Sequence, residues 1–342
     1  MVNVMKIFIR ADGGELIGLG HIMRTLVLAN EFRRIGNEVI YLCGNNNRFK
    51  SGISRIKEDG FRVISLNENN IEDGIIQIQQ NINADLLITD SYVVNEAYFD
   101  RLKPHFKITG YIDDVNKCKM NVDFIINQNV NARNLNYSKT TNEDTKLFLG
   151  PNYCMLREEF REHCNDHIYI EEASDILLTL GGMDDKFNTL MILNEVTKLN
   201  KNIHVVIGNA FKEELITDLE DISSKNKNII LYKNPKMSSV MSKCQLAISA
   251  CGSTLYELCA MRIPTMGIIL ADNQKGTAEC MKYKGLLLDV IYAKNIDGYD
   301  FQDNIEIFSK DIKLLSNIIE RQKKIINVNG AKNLVNSIIE MF

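Results

Sequence analysis

The feature that most constrains this chain is an alternation. Short apolar runs of strand length are followed by segments of helical period, and the whole series occurs twice. In the first half the strand-like runs are residues 6–10, 37–43, 61–66, 84–90, 106–113 and 124–128. Between them lie helical segments at 22–34 and 71–81 and a polar helix ending at Gly60. The second series has strand-like runs at 174–180, 204–207, 229–232, 246–249 and 265–270, with helices expected near 187–199, 211–224, 237–243 and 255–261. Helical period returns from about residue 305, with a break at Asn329-Gly330. Consecutive parallel strands cannot be joined by a tight hairpin and need a crossover, so strand–helix alternation predicts right-handed βαβ units and a parallel sheet. Two such series in 342 residues predict an α/β chain of two tandem Rossmann-like, doubly wound parallel-sheet domains. The boundaries expected are 1–150, a linker at 151–172 and a second domain at 173–342 carrying the C-terminal helices. Residues 129–148, rich in Asn, Thr, Lys and Tyr and without a clean apolar period, read as a surface loop.

Charge narrows the partners. A formal net charge of -4, with no basic cluster longer than the short run at 321–324, argues against nucleic acid, whose phosphates need grouped Lys and Arg. No run approaches the roughly 20 apolar residues of a membrane span. The first residues carry too short an apolar run for a secretion signal, so a cytoplasmic location and no membrane are the expectations, with a monomer as the default for such a fold. The eight cysteines form no Cys-x-x-Cys pair and read as reduced, mostly buried thiols. His163, Cys164 and His167 have a metal-like spacing, but a solvated linker helix is the expectation there. No metal and no cofactor are expected.

In an open parallel sheet, ligands sit beyond the carboxyl ends of the strands. Four loops at such ends carry chemistry-bearing residues. The first, Arg10 to Arg24, holds Asp12, Gly18, Gly20, His21 and Arg24. It lacks the third glycine of a dinucleotide fingerprint and the Gly-Lys-Ser/Thr of a Walker loop. What remains is a histidine at a helix start, with an intrinsic pKa near 6.5 suited to taking a proton from water. The second loop, with Gly181 and Gly182 before Asp184-Asp185, suits a diphosphate, though a tight βα turn would use the same glycines. The third contains Gly252, Ser253 and Thr254, which suit phosphate oxygens, and Glu257, whose carboxylate suits ribose hydroxyls; a simple N-capped helix would have the same residues. In the fourth, Asn273 and Gln274 have amides that suit a sugar, or an Asx-rich turn. Tyr92, after the run ending at Asp90, faces either the same ligand or the core.

Ile9-Arg-Ala-Asp12, Ile17-Gly-x-Gly-His21, Met23-Arg24, Ile112-Asp-Asp114, Gly150-Pro-x-Tyr153, Leu156-Arg157, Gly181-Gly-x-Asp184, Gly252-Ser-Thr-x-x-Glu257 and Asn273-Gln274 together resemble the PseG family. Its members are UDP-2,4-diacetamido-2,4,6-trideoxy-β-L-altropyranose hydrolases of the pseudaminic acid pathway, and SpsG shares much of the pattern. The resemblance spans nearly the whole chain and implies the GT-B fold of nucleotide-sugar enzymes, with an interdomain cleft. It implies water attack at the anomeric carbon with inversion, release of UDP, and no metal. His21 then matches the general base, with Asp12 orienting it or the sugar. Gly182, Gly252, Ser253, Thr254 and Glu257 match the UDP site; Gly18, Gly20, Arg24, Tyr92, Asn273 and Gln274 match positions near the sugar. Two other readings stay open. One is a MurG-like UDP-sugar glycosyltransferase, in which an acceptor replaces water. The other is a non-catalytic nucleotide-sugar binder, which would keep Glu257 without needing His21.

Overall fold

In a computed structural model of the chain, residues 4–15, 17–163 and 172–342 are described. Cys164 and His167 of the metal-like trio lie outside the described residues. The chain divides into two compact units, Met1–Arg157 together with Asn329–Phe342, and Glu158–Val328.

The first unit runs β1 (Lys6–Ala11), α1 (Gly20–Arg34), β2 (Glu38–Gly44), α2 (Lys50–Glu58), β3 (Arg62–Leu66), α3 (Ile71–Ile82), β4 (Leu86–Asp90), α4 (Glu96–Leu102), β5 (Ile108–Ile112), β6 (Phe124–Asn127) and β7 (Lys146–Leu149). Among the described residues its strands form one parallel seven-stranded sheet in the order β3-β2-β1-β4-β5-β6-β7. The near-continuous apolar runs follow from helices covering both faces. Ile7 and Ile9 turn to one side with Leu26 and Phe32 of α1. Phe8 turns to the other with Ile75 of α3 and Phe99 of α4.

The second unit runs α5 (Glu158–Glu162), β8 (Asp175–Thr179), α6 (Asn188–Val196), β9 (Asn202–Ile207), α7 (Glu213–Lys225), β10 (Ile229–Lys233), α8 (Met237–Met241), β11 (Leu246–Ala250), α9 (Thr254–Ala260), β12 (Thr265–Ile269), α10 (Asp272–Tyr283), β13 (Asp289–Tyr292), α11 (Phe301–Lys310) and α12 (Ile312–Ile325). Its parallel sheet has the order β10-β9-β8-β11-β12-β13 among the described residues.

Two local expectations change. The last helix, α13 (Gly330–Ile339), was expected with the second domain but belongs to the first unit. Its apolar stripe, Ala331, Leu334, Val335 and Ile338, completes the core on the α1 face. Residues 129–148 are not simply a surface loop. Ala132 and Tyr137 are buried, and the segment ends in β7, which pairs with β6. The Tyr137 hydroxyl donates to Asp113 at 2.6 Å and accepts from Asn127 at 2.9 Å, so polar anchors rather than an apolar period hold the segment.

No helix among the described residues is long and apolar enough to cross a membrane.

Candidate active site

In each sheet the chain first builds outward on one side, then jumps across and builds on the other. In the first unit that reversal falls between β1 and β4, in the second between β8 and β11. The βα loops on either side of a reversal diverge and leave a crevice at the carboxyl edge.

In the first unit the loop after β1 closes on itself. Gly14 and Gly18 exchange backbone hydrogen bonds, each 2.9 Å. Gly18 sits at φ 70°, in the region that favours glycine. A Cβ at Gly18 or Gly20 would meet nothing within 4 Å, so these two glycines leave open space at the helix start. The close packing falls instead on Gly52 of α2, whose Cβ would lie 2.3 Å from the Gly13 carbonyl oxygen. The loop thereby delivers His21 in the first turn of α1, almost wholly buried.

Across the reversal, β4 ends at Asp90, which is buried. His21 Nδ1 lies 2.6 Å from one Asp90 oxygen. An ionised carboxylate only accepts, so Nδ1 carries the proton and Nε2 is left as a proton acceptor. Arg24, one turn along α1, donates from Nε to the other Asp90 oxygen at 2.6 Å and from Nη2 to the first at 2.6 Å. Its Nη1 donates to both oxygens of Asp114, at 3.0 and 2.8 Å. Burial works to raise the Asp90 carboxyl, but the charges of Arg24 and His21 and their hydrogen bonds outweigh it and hold it at about 2. Asp114 also accepts from the Tyr92 hydroxyl at 2.6 Å and from the Asn129 amide at 2.9 Å. The Tyr92 ring stands edge-on to the imidazole, with centroids 4.6 Å apart. Burial and the adjacent Asp114 push the Tyr92 phenol up, so it stays a donor at neutral pH.

The structure thus brings together three sequence-expected residues, His21, Arg24 and Tyr92. It adds three that sequence reasoning had not assigned: Asp90, Asp114 and Asn129. Asp12, expected to orient the histidine or the sugar, is engaged elsewhere. It accepts from Arg10 at 2.5 Å and from the Gly44 backbone N–H at 2.8 Å, tying the ends of β1 and β2. Asp90 takes the orienting role. Arg24 differs too from the sugar contact expected: its guanidinium is committed to two carboxylates. A signal for Asp90 existed, namely a carboxylate ending the strand-like run Leu86-Leu-Ile-Thr89.

In the second unit the expected residues end three neighbouring strands, β8, β11 and β12. Gly181, at φ 95°, and Gly182 are exposed after β8. The adjacent carboxylates diverge. Asp184 is buried and accepts from the backbone N–H groups of Asn188 and Thr189 at 3.0 and 2.6 Å, capping α6. Asp185 is exposed and pairs with Lys212 at 3.4 Å. The α6 start is therefore already occupied by an anionic side chain, which weakens the diphosphate reading of this loop but leaves Gly182 open. After β11, Gly252 leaves open space, and Ser253 precedes α9 without a side-chain cap hydrogen bond, which counts against the alternative of a simple N-cap at Ser253. The exposed hydroxyl is thus uncommitted to the helix. Glu257 lies half-buried in the first turn. After β12, Asn273 is exposed, whereas Gln274 accepts from the Leu270 N–H at 2.9 Å and so braces its own loop. Burial pushes the Cys43, Cys251 and Cys259 thiols up to about 12, which leaves them as packing residues rather than nucleophiles.

No family model matches the chain. An uncharacterised protein of Methanocaldococcus jannaschii is 31% identical over 281 residues, 79% of this chain and 56% of that protein, so the matched region spans little more than half of that relative. A UDP-2,4-diacetamido-2,4,6-trideoxy-β-L-altropyranose hydrolase of Campylobacter jejuni is 24% identical over 84% of this chain and 100% of its own length. The spore coat polysaccharide biosynthesis protein SpsG of Bacillus subtilis is 25% identical over 84% of each chain. Among solved structures, MurG of Acinetobacter baumannii superposes with a TM-score of 0.68 at 12% identity, covering 98% of this chain and 99% of that one. The calicheamicin glycosyltransferase CalG4 gives 0.69 at 12% identity, covering 99% and 98%. The two Rossmann-like units share the GT-B fold of these solved structures, and the sequence is similar to PseG and SpsG.

Proposed function

We propose that this PseG- and SpsG-like chain is a UDP-sugar hydrolase. Its substrate would be UDP-2,4-diacetamido-2,4,6-trideoxy-β-L-altropyranose, and its products UDP and the free sugar. The observation that carries the reading is the Asp90-held His21, whose Nε2 is left to accept a proton at the mouth of a strand-order reversal. The name of the Campylobacter relative supports the choice of substrate.

In this reading His21 Nε2 takes a proton from water as the water oxygen attacks the anomeric carbon. The bond from that carbon to the β-phosphate oxygen breaks with inversion, and its electron pair leaves with UDP. Asp90 fixes the imidazole tautomer and stabilises the cation that forms, which is the work of the third member of a catalytic triad. Tyr92 and Asn273 face the sugar. Gly252, Ser253, Thr254 and Gly182 hold the diphosphate through hydroxyls and backbone N–H groups, and Glu257 accepts from the ribose hydroxyls. No step needs a metal.

The test is UDP release from the purified chain in H2(18)O, with EDTA and without any acceptor. Release is expected at full rate, with no heavy oxygen in UDP, because the carbon–oxygen bond is the one cut. Label in the UDP phosphate would mean attack at phosphorus. Turnover that begins only on adding an acceptor alcohol would make the chain a transferase, and restoration only by a divalent cation would remove the metal-free mechanism.

A further inference from the structure

The buried network around His21 carries more charge than holding a ring in place requires. Asp90 from the end of β4 and Asp114 from the loop after β5 supply two negative charges, and Arg24 from α1 supplies one positive charge. Asp90 is wholly screened from solvent, and the side chains of Arg24 and Asp114 are 11% and 13% exposed. Tyr92, edge-on to the ring from the β4 loop, is neutral at physiological pH, and the Thr25 hydroxyl donates to the His21 backbone carbonyl at 2.8 Å. The β1 charges, Arg10 and Asp12, are closed on each other at 2.5 Å.

The imidazole therefore lies among an uneven set of charges. Asp90 favours a proton on the ring, which it meets at 2.6 Å, and Asp114 favours it through Arg24, whose positive charge it offsets. Arg24 opposes it, with Nη2 only 3.3 Å from His21 Nδ1. A general base must give up its proton to be ready for the next one, so the cation is the member that keeps the base available. An arginine suits the post because its planar fork reaches both Asp90 oxygens and both Asp114 oxygens at once, which the single ammonium of a lysine does not do.

We infer that Arg24 and Asp114 are positioning residues that set the charge of His21 in opposite senses, Arg24 weakening and Asp114 strengthening the ring's hold on a proton. The importance of this for turnover rests on His21 being the general base. The titration itself does not.

The experiment is an NMR titration of the His21 Cε1–H resonance, identified by its loss in His21→Gln, in the wild-type chain and in Arg24→Gln, Arg24→Lys and Asp114→Asn. Unit charges a few ångströms apart at a partly buried site shift a titration by about one pH unit or more. The Arg24→Gln midpoint is expected to move up by that amount and the Asp114→Asn midpoint down, with Arg24→Lys nearer the wild type than Arg24→Gln. Midpoints that stay together, or that move in the same direction, overturn the inference. If Arg24→Gln does not fold by circular dichroism, the Asp114→Asn midpoint decides alone. UDP release measured on the same variants separates the two claims: a wild-type chain that releases no UDP sinks the hydrolase but leaves the titration result standing. Where UDP is released, the acid limb of kcat/KM, which reports the free enzyme, follows each midpoint, which a loss of mere packing would not produce.

Discussion

At the residue scale the central pair is His21 and Asp90, 69 positions apart and 2.6 Å apart in space. That separation explains why Asp12 was the sequence's candidate and Asp90 was not. Asp12 is near His21 in the chain, but it is committed to the β1–β2 seam through Arg10 and Gly44. Asp90 reaches His21 only because β4 pairs with β1, and strand order is not written in the local pattern. The histidine itself was legible, because its place directly after two glycines at a strand-to-helix switch needed no partner to be noticed. Replacing Asp90 by Asn leaves a hydrogen-bonding group but frees the tautomer and removes the charge that stabilises the imidazolium. UDP release is expected to fall by about 10²–10⁴-fold with KM little changed; a KM effect alone would assign Asp90 to ground-state binding. The same carboxyl affects stability. Its folded value, about 2, lies below the ordinary 3.8, so its contribution is complete above about pH 4 and is lost as pH falls toward 2. The contribution is on the order of 2 kcal/mol, and urea melts at pH 5 and pH 2.5 should lose that much more in the wild type than in Asp90→Asn.

At the element scale, the strands and helices with strong apolar period were readable, and those held by other means were not. β7 is four residues long at a sheet edge, with two of its side chains exposed, and β13 is equally short. Neither gives a run long enough to stand out. Tyr137 is anchored by Asp113 and Asn127, partners that no window of sequence contains. The approach of α2 to the first loop is likewise invisible in sequence, since a glycine inside a helix reads only as a weak former. In the structure Gly52 lets α2 lie against the backbone of Gly13. Gly52→Ala improves helix propensity, yet its methyl would have to push the loop that delivers His21. A loss of about 1–3 kcal/mol in chemical denaturation is expected, together with reduced turnover. A more stable variant of unchanged rate would show that the loop accommodates the methyl freely.

At the scale of the whole molecule, two Rossmann-like units followed directly from the doubled alternation, because parallel strands leave no other economical connection. The assignment of α13 did not follow, since an amphipathic helix records that it needs an apolar surface but not which one. The chain leaves the first unit after Arg157 and returns to it at Asn329. Leu334, Val335 and Ile338 are fully buried there, and their burial is worth roughly 5–9 kcal/mol, comparable with the whole stability of a typical domain. Removing residues 329–342 is therefore expected to unfold the first unit, read as early proteolysis of residues 1–157 while fragments of the second unit persist; equal resistance of both would place the helix outside the first core.

The most direct measurement is a paired one: UDP release and UDP affinity for the wild-type chain and His21→Gln. Release is expected to fall by at least about a hundredfold while the dissociation constant for UDP stays within about twofold. Undiminished release by His21→Gln, or a loss of UDP binding that parallels the loss of rate, would contradict the assignment of His21 as the group that activates water.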